Sequence, residues 1–103
     1  MSNTQSNTGR AAIRVLRIWQ ALNGHTITGL SNSDIAQLTG DTRSNVSRAL
    51  DVLIAENLVT KLPSGRYAHS IRTLQIAAAH YDHIERTRQR IDDLNDTIRA
   101  GTY

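Results

Sequence analysis

Residues 31–58, SNSDIAQLTGDTRSNVSRALDVLIAENL, constrain the fold most strongly, because they contain two helix patterns separated by a short turn. Ser31 and Asp34 have the spacing at which a hydroxyl and a carboxylate cap a helix start reciprocally. The short apolar face that follows comprises Ile35, Ala36 and Leu38. Gly40 suits a left-handed turn, and Asp41 can accept hydrogen bonds from the amides that open the next helix. The pattern predicts a helix-turn-helix.

The second helix of this pair has an apolar face and a polar face of distinct composition. Its predicted core residues, spaced three and four apart, are Val46, Ala49, Leu50, Leu53 and Ile54. The opposite face at its start carries no carboxylate and comprises Thr42, Arg43, Ser44, Asn45, Ser47 and Arg48. Arginine can donate two parallel hydrogen bonds to guanine, asparagine can pair bidentately with adenine, and small hydroxyls can reach phosphates.

This polar face supports two interpretations. The first is base readout in DNA by Arg43, Ser44, Asn45, Ser47 and Arg48. The second is an ordinary solvated helix face, which polar residues on an arbitrary helix usually form. The order of the neighbouring elements favours DNA, because two helices followed by a hairpin are typical of a winged helix-turn-helix.

The predicted hairpin follows the second helix. Residues 58–62 alternate as a strand, residues 63–65 (Pro-Ser-Gly) indicate a turn, and residues 66–69 can form the returning strand. Lys61 and Arg66 flank its tip, from which cations can reach the sugar-phosphate backbone or the minor groove. The DNA backbone contacts predicted for the whole chain are Ser33, Thr42, Lys61, Arg66, Arg10 and Arg14.

The segment before the helix pair, residues 10–22, has the pattern of an amphipathic and largely buried helix that Asn23-Gly24 ends. Its apolar positions are Ala12, Ile13, Val15, Leu16, Ile18, Trp19 and Leu22. Trp19 can fill the core or belong to a protein interface, and we favour the core. Its basic stripe, Arg10, Arg14 and Arg17, is equally consistent with phosphate contact and with a solvated face. Residues 25–30, HTITGL, predict a short strand added to the hairpin.

A long helix is predicted from Ser70 to Ile98. We call the residues that recur in it at intervals of seven the isoleucine stripe: Ala77, Ile84, Ile91 and Ile98. Leu74 and Leu94 add to this stripe, whereas His80 and Thr87 interrupt the seam that a coiled coil requires. The stripe can pack back onto the preceding domain or pair with a second copy. We favour a homodimer, with Ala77, Ile84, Ile91, Leu94 and Ile98 as dimerisation residues.

Composition excludes several classes of protein. The 103 residues suit about one domain, and the absence of cysteine excludes disulfides and thiolate metal sites. We expect no metal site, because His80 and His83 lack further ligands. We also expect no cofactor and no enzymatic activity, because no catalytic constellation is present. Without a membrane-length apolar run or a secretory signal, we expect no membrane association and a cytoplasmic location.

Charge is distributed unevenly along the chain. Residues 1–72 contain eight Lys or Arg and four Asp or Glu, whereas residues 73–103 contain four Lys or Arg and five Asp or Glu. The basic first part fits attraction to a polyanion, and the nearly neutral second part fits contact with protein.

Residues 10–79, about two-thirds of the chain, resemble the N-terminal winged-helix domain of IclR-type bacterial transcription regulators. The resemblance lies in AIRVLRIWQAL, DIAQLTG and SNVSRALDVLIAENLV, and further in Tyr67, Leu74 and Ala77. It implies that Arg43, Ser44, Asn45 and Arg48 face the major groove and that Lys61 and Arg66 lie on the wing.

The chain departs from this family in two respects. Asp41 and Thr42 stand where the family often has a hydrophobic residue and a proline, and Ser70 stands where it often has glycine. Family members also carry a larger C-terminal domain that binds a small effector. The present chain is too short to contain one, so we expect no small-molecule effector.

These patterns together predict a mainly α fold with a small β-hairpin: a disordered arm (residues 1–8), a winged-helix DNA-binding domain (9–70) and a C-terminal dimerisation helix (71–103). The expected function is a sequence-specific, double-stranded-DNA-binding transcriptional regulator from a bacterium or phage. Repression is favoured, because a bare DNA-binding domain can occlude a promoter. The alternatives are a protein-interaction adapter on a winged-helix scaffold and a replication or partition accessory factor.

Overall fold

The computed structural model describes residues 8–101, in which three helices precede a two-stranded hairpin and a long fourth helix. The elements are α1 (Thr8–Ala21), α2 (Asn32–Thr39), α3 (Arg43–Ala55), β1 (Val59–Lys61), β2 (Tyr67–His69) and α4 (Ile71–Gly101). This order confirms the predicted winged helix-turn-helix with a long C-terminal helix. The predicted disordered arm lies outside the described residues, except for Thr8, where α1 begins.

The chain divides into two compact units between Thr73 and Leu74. The first unit holds α1 to α3, the hairpin and the first turn of α4, and the second unit is the remainder of α4. Between residues 8 and 101, no helix combines the length and the apolar character needed to cross a membrane.

Local capping fixes the start of α2 and the turn between α2 and α3. The Ser31 hydroxyl accepts a hydrogen bond from the Asp34 amide, and the Ser31 amide donates to the Asp34 carboxylate, as predicted. Gly40 has φ +72° and its amide donates to Ala36 O at 2.9 Å, which confirms the glycine turn. The prediction for Asp41 is confirmed in part: its carboxylate accepts from the Thr42 amide at 3.1 Å, but Thr42 is the N-cap of α3 and its hydroxyl accepts from the Asn45 amide.

Each of the three helices of the first unit has an arc of buried or half-buried residues, and the arcs share the spacing i, i+3, i+4 and i+7. The arcs comprise Val15, Ile18, Trp19 and Leu22; Asn32, Ile35, Ala36 and Thr39; and Val46, Ala49, Leu50 and Leu53. Their apolar members, together with Leu30 and Val59, form a single core. The spacing follows from the helical repeat of about 3.6 residues, which returns these four positions to one side.

Several apolar residues assigned to buried faces lie outside these arcs and are exposed. They are Ala12, Leu16, Leu38 and Ile54. Leu38 is 63% exposed. Around the axis of α2 it lies about 100° from the centre of the arc, beyond Ile35 and away from Ala36. The four predictions were wrong because an apolar residue next to a buried arc need not belong to it.

The hairpin pairs β1 with β2 in antiparallel register, with Thr60 opposite Ala68. The strand predicted at residues 25–30 is not formed, apart from a single β-bridge at Leu30. There Leu30 and Tyr67 exchange two backbone hydrogen bonds of 2.9 and 2.8 Å. The preceding Gly29 has φ +71°, and a Cβ there would lie 2.8 Å from Tyr67 O. This close approach requires glycine and holds the loop after α1 against the hairpin.

Buried hydroxyls connect α1, the hairpin and the first turn of α4. Thr73 Oγ1 accepts a hydrogen bond from the Trp19 indole at 3.3 Å and donates to Leu58 O at 2.7 Å. Ser70 Oγ accepts from the Thr73 amide and donates to Asn57 O, so Ser70 caps the start of α4. Trp19 is partly buried against the core, as predicted.

Beyond Thr73, every residue of α4 is exposed as far as residue 101. Within the isoleucine stripe, Ile84, Ile91 and Ile98 have exposed fractions of 41 to 56%. The second unit is therefore a helix whose apolar residues lack burial within the described chain.

Candidate nucleic-acid interface

The first two turns of α3 carry all five residues predicted to read bases. Arg43, Ser44, Ser47 and Arg48 are exposed, and Asn45 is half-buried. The opposite side of the same turns is fixed in the core by Val46 and Ala49. The structure thus brings the five residues together on an outward face of a helix that cannot rotate without losing its core contacts.

A chain of polar contacts fixes part of this face. Arg14 of α1 donates from Nε to Asp41 Oδ2 at 2.8 Å, and Asp41 Oδ1 accepts from Asn45 Nδ2 at 2.9 Å. Asn45 Oδ1 in turn accepts from the Arg48 guanidinium at 3.0 Å. We call Arg14, Asp41, Asn45 and Arg48 the polar relay. It connects α1, the turn before α3 and the outward face of α3.

The electrostatics of the relay favour an ionised Asp41. The pKa of Asp41 is held below its usual value, chiefly by the hydrogen bond from Asn45 and also by Arg14 and the Thr42 amide, against an opposing effect of burial. A carboxylate at this position can only accept hydrogen bonds at neutral pH. The outward face of α3 therefore lies next to a negative charge that the sequence pattern did not include.

Asn32 of α2 holds the start of α3 from the other side. Its Nδ2 donates to Arg43 O at 3.1 Å and to Ser47 Oγ at 2.7 Å, while its buried Oδ1 has no hydrogen-bond partner among the described residues. Ser47 accepts this bond and keeps its own hydroxyl proton for another acceptor. Sequence reasoning missed Asn32, because its partners lie 11 and 15 residues away and no local motif marks such a pair.

The residues predicted to contact the DNA backbone fall into two groups. Arg10, Ser33, Thr42 and Lys61 are exposed, with the Lys61 ammonium 5.7 Å from the centre of the Tyr67 ring. Arg14 and Arg66 instead form ion pairs within the first unit. Arg14 fits neither of the two readings of the basic stripe, because its side chain is only 26% exposed and pairs with Asp41.

Arg66 connects the wing to the start of α2. Its guanidinium contacts Asp34 Oδ2 at 3.1 Å, and its Nε donates to Gly29 O at 3.2 Å. The pKa of Asp34 lies below its usual value, first because of the hydrogen bond from the Ser31 amide, with Arg66 acting in the same direction. Lys61 is therefore the more accessible of the two cations predicted at the wing tip.

Comparison with known families agrees with this arrangement. A sequence model described as the IclR helix-turn-helix domain matches residues 11–63, about half of the chain. The match extends from α1 through α2, α3 and β1 to the turn of the hairpin, and it confirms the resemblance stated from the sequence. No curated protein matches the chain.

Proposed function

This chain belongs to the IclR helix-turn-helix family of DNA-binding transcription regulators, and we propose that it is a sequence-specific repressor that acts as a homodimer. One observation carries the proposal. The outward face of the first two turns of α3 presents Arg43, Ser44, Asn45, Ser47 and Arg48 together, while its inner face is fixed in the core. A helix held in this way can enter the major groove with its side chains already placed.

The division of labour within the first unit follows from accessibility. The exposed arginines and the half-buried Asn45 of α3 have the donors and acceptors that distinguish bases. Arg10, Ser33 and Lys61 lie near the ends of other elements, and Thr42 caps α3. All four are exposed and can contact phosphates, which sets orientation on the duplex without reading sequence. Arg14 and Arg66 hold the domain together instead.

Homodimer formation is proposed from the second unit. The 31 residues of α4 make a helix about 46 Å long, along which the isoleucine stripe remains exposed. A second copy can cover this stripe with an identical one, which removes the apolar surface of both from water. Two copies then present two α3 helices to an operator with inverted half-sites, and a bound dimer represses by covering a promoter.

The test of the proposed function is selection of bound duplexes from a random DNA library by the full chain at near-physiological salt. This salt suppresses purely electrostatic binding and leaves base readout as the main source of enrichment. We expect an inverted repeat whose half-sites lie about one or two helical turns apart. Recovery of unselected sequence would contradict sequence-specific binding, and a single half-site would contradict the dimer.

Repression requires a separate measurement. The selected operator is placed across the promoter of a reporter, and transcription is compared with and without the protein. We expect transcription to fall when the operator overlaps the promoter and to return when the operator is scrambled. A rise in transcription would show that the protein activates.

A further inference from the structure

The polar relay leaves the Asn45 amide with specific unused hydrogen-bonding groups. A side-chain amide has two N–H donors and an oxygen with two lone pairs. One donor of Asn45 is used by Asp41 and one lone pair by Arg48, so one donor and one lone pair remain. A bidentate contact with adenine uses one donor and one acceptor of an asparagine amide. The relay therefore holds Asn45 without exhausting it.

The orientation of that amide depends on Asp41. An unrestrained amide can rotate by about 180° and exchange its donor and acceptor ends. An ionised carboxylate accepts only the N–H end, and Asp41 is itself fixed by Arg14 Nε at 2.8 Å and by the Thr42 amide at 3.1 Å. The side chains of Arg14 and Asp41 are only 26% and 20% exposed, so water competes weakly with this pair.

We propose that Asp41 is a positioning residue for base recognition, which selects one orientation of the Asn45 amide and, through Asn45, places the Arg48 guanidinium. This inference rests on the proposed sequence-specific DNA binding. The base read by Asn45 is adenine, and the base read by Arg48, one helical turn further along α3, is a neighbouring guanine. Asp41 touches neither base and acts through Asn45.

Asp41 also has an unfavourable effect on binding that separates its role from that of an ordinary contact. A carboxylate beside the recognition face repels phosphates, so its removal strengthens nonspecific binding. Its removal at the same time weakens discrimination at the adenine read by Asn45 and, to a smaller degree, at the guanine read by Arg48. A residue that merely stabilised the fold would change both kinds of binding in the same direction.

The experiment compares the full chain with Asp41→Asn and Asn45→Ala on the selected operator and on each single-base variant of it. We expect Asn45→Ala to lose discrimination at one adenine by about tenfold, because a bidentate contact is lost, with a smaller loss at the guanine read by Arg48. Asp41→Asn keeps the size of the side chain but permits both amide orientations. We expect Asp41→Asn to lose most of the discrimination at that adenine and to bind random DNA more tightly.

Two further variants serve as controls. Asp51→Asn removes an exposed carboxylate from the same side of α3, one turn beyond the residues proposed to read bases and outside the polar relay, and it should leave discrimination at the adenine unchanged. Asp41→Glu keeps the charge but moves the carboxylate, and it should lower discrimination without strengthening nonspecific binding. Thermal unfolding of each variant, followed by circular dichroism, identifies those that are folded at the assay temperature. If only one of Asp41→Asn and Asp41→Glu is folded, that variant alone is enough for the test.

The outcomes separate the two proposals. If the unaltered chain selects no sequence, the proposed function fails before Asp41 is tested. If it selects a sequence and folded Asp41→Asn or Asp41→Glu retains full discrimination at the position that Asn45→Ala affects, the role of Asp41 is overturned. If Asp41→Asn has no further effect on discrimination once Asn45 is alanine, the two residues act through one contact, as the relay requires.

Discussion

Helices α3 and α4 differ in the contacts that their exposed side chains make. The outward face of α3 is contacted by side chains from distant parts of the chain, including Asn32 and, through Asp41, Arg14. In α4 beyond Thr73, Gln89 contacts Asp93 and Arg88 contacts Glu85, at separations of only four and three residues. A face fixed from outside its helix suits precise recognition, whereas the exposed isoleucine stripe suits a partner helix.

The largest expected effect comes from the buried side of α3. Leu50 is 1% exposed, so Leu50→Ala should lower the free energy of unfolding by about 2 to 5 kcal/mol. Leu38→Ala, in an exposed position of α2, is the matched control and should cost less than about 1 kcal/mol. Urea unfolding measures both. Equal losses would show that the buried arcs are wrongly placed.

The outward side of α3 is tested by replacing Arg43 and Arg48 together with alanine. We expect the preference for the operator over random DNA to fall about 100-fold, because two potential base contacts are lost. Arg10→Ala with Arg17→Ala removes the same charge from α1 and should leave that preference intact, whether or not those arginines contact phosphates. Fluorescence anisotropy at fixed salt measures both pairs. Retained selectivity in the α3 variant would place base readout elsewhere.

The isoleucine stripe of α4 is tested by Ile84→Asp with Ile91→Asp. Four charges placed at the proposed contact of two copies should yield monomers, so the mass from sedimentation equilibrium should fall by half. Gln75→Asp with Gln89→Asp introduces the same charges on the opposite side of the helix and should leave the mass of a dimer unchanged. An Ile84 and Ile91 variant of unchanged mass would refute pairing through this stripe.

The smallest expected effect is a change in the stability of the fold at acid pH. Because the pKa of Asp41 is lower in the folded chain than its usual value of 3.8, its ionised form stabilises the fold. That contribution is fully present above about pH 4 and is lost as pH falls through the lowered pKa. Asp41→Asn should therefore flatten the dependence of the unfolding free energy on pH in the acid range. An identical slope in urea titrations would contradict the contribution of Asp41.

Local features of the fold were predictable from sequence, because short-range physics determines them. The Ser31–Asp34 capping box, the Gly40 turn and the buried arc of α3 all follow from residues within a few positions of one another. The hairpin followed from its alternation and its Pro-Ser-Gly turn. The placement of the five polar residues on the outward side of α3 was therefore predicted correctly, while their role in reading bases stays a prediction.

The contacts that organise this face were not predictable in the same way. Arg14 and Asp41 are separated by 27 residues, and Arg66 and Asp34 by 32. Each of these arginines belonged to a basic pattern that suggested phosphate contact, and only the packing of the helices places a carboxylate beside it. Charge patterns along a chain do not distinguish a cation that faces solvent from one that pairs across the fold.

The contact between Trp19 and Thr73 makes the junction of α1, the hairpin and α4 optically observable. Trp19 is the sole tryptophan of the chain, and its ring centre lies 5.5 Å from that of His69, whose Nε2 donates to Trp19 O at 2.7 Å. Intrinsic emission excited at the indole band therefore originates from this one place. Opening of the junction would expose the indole to water and shift its emission to longer wavelength, so the protein carries its own reporter of that motion without a dye.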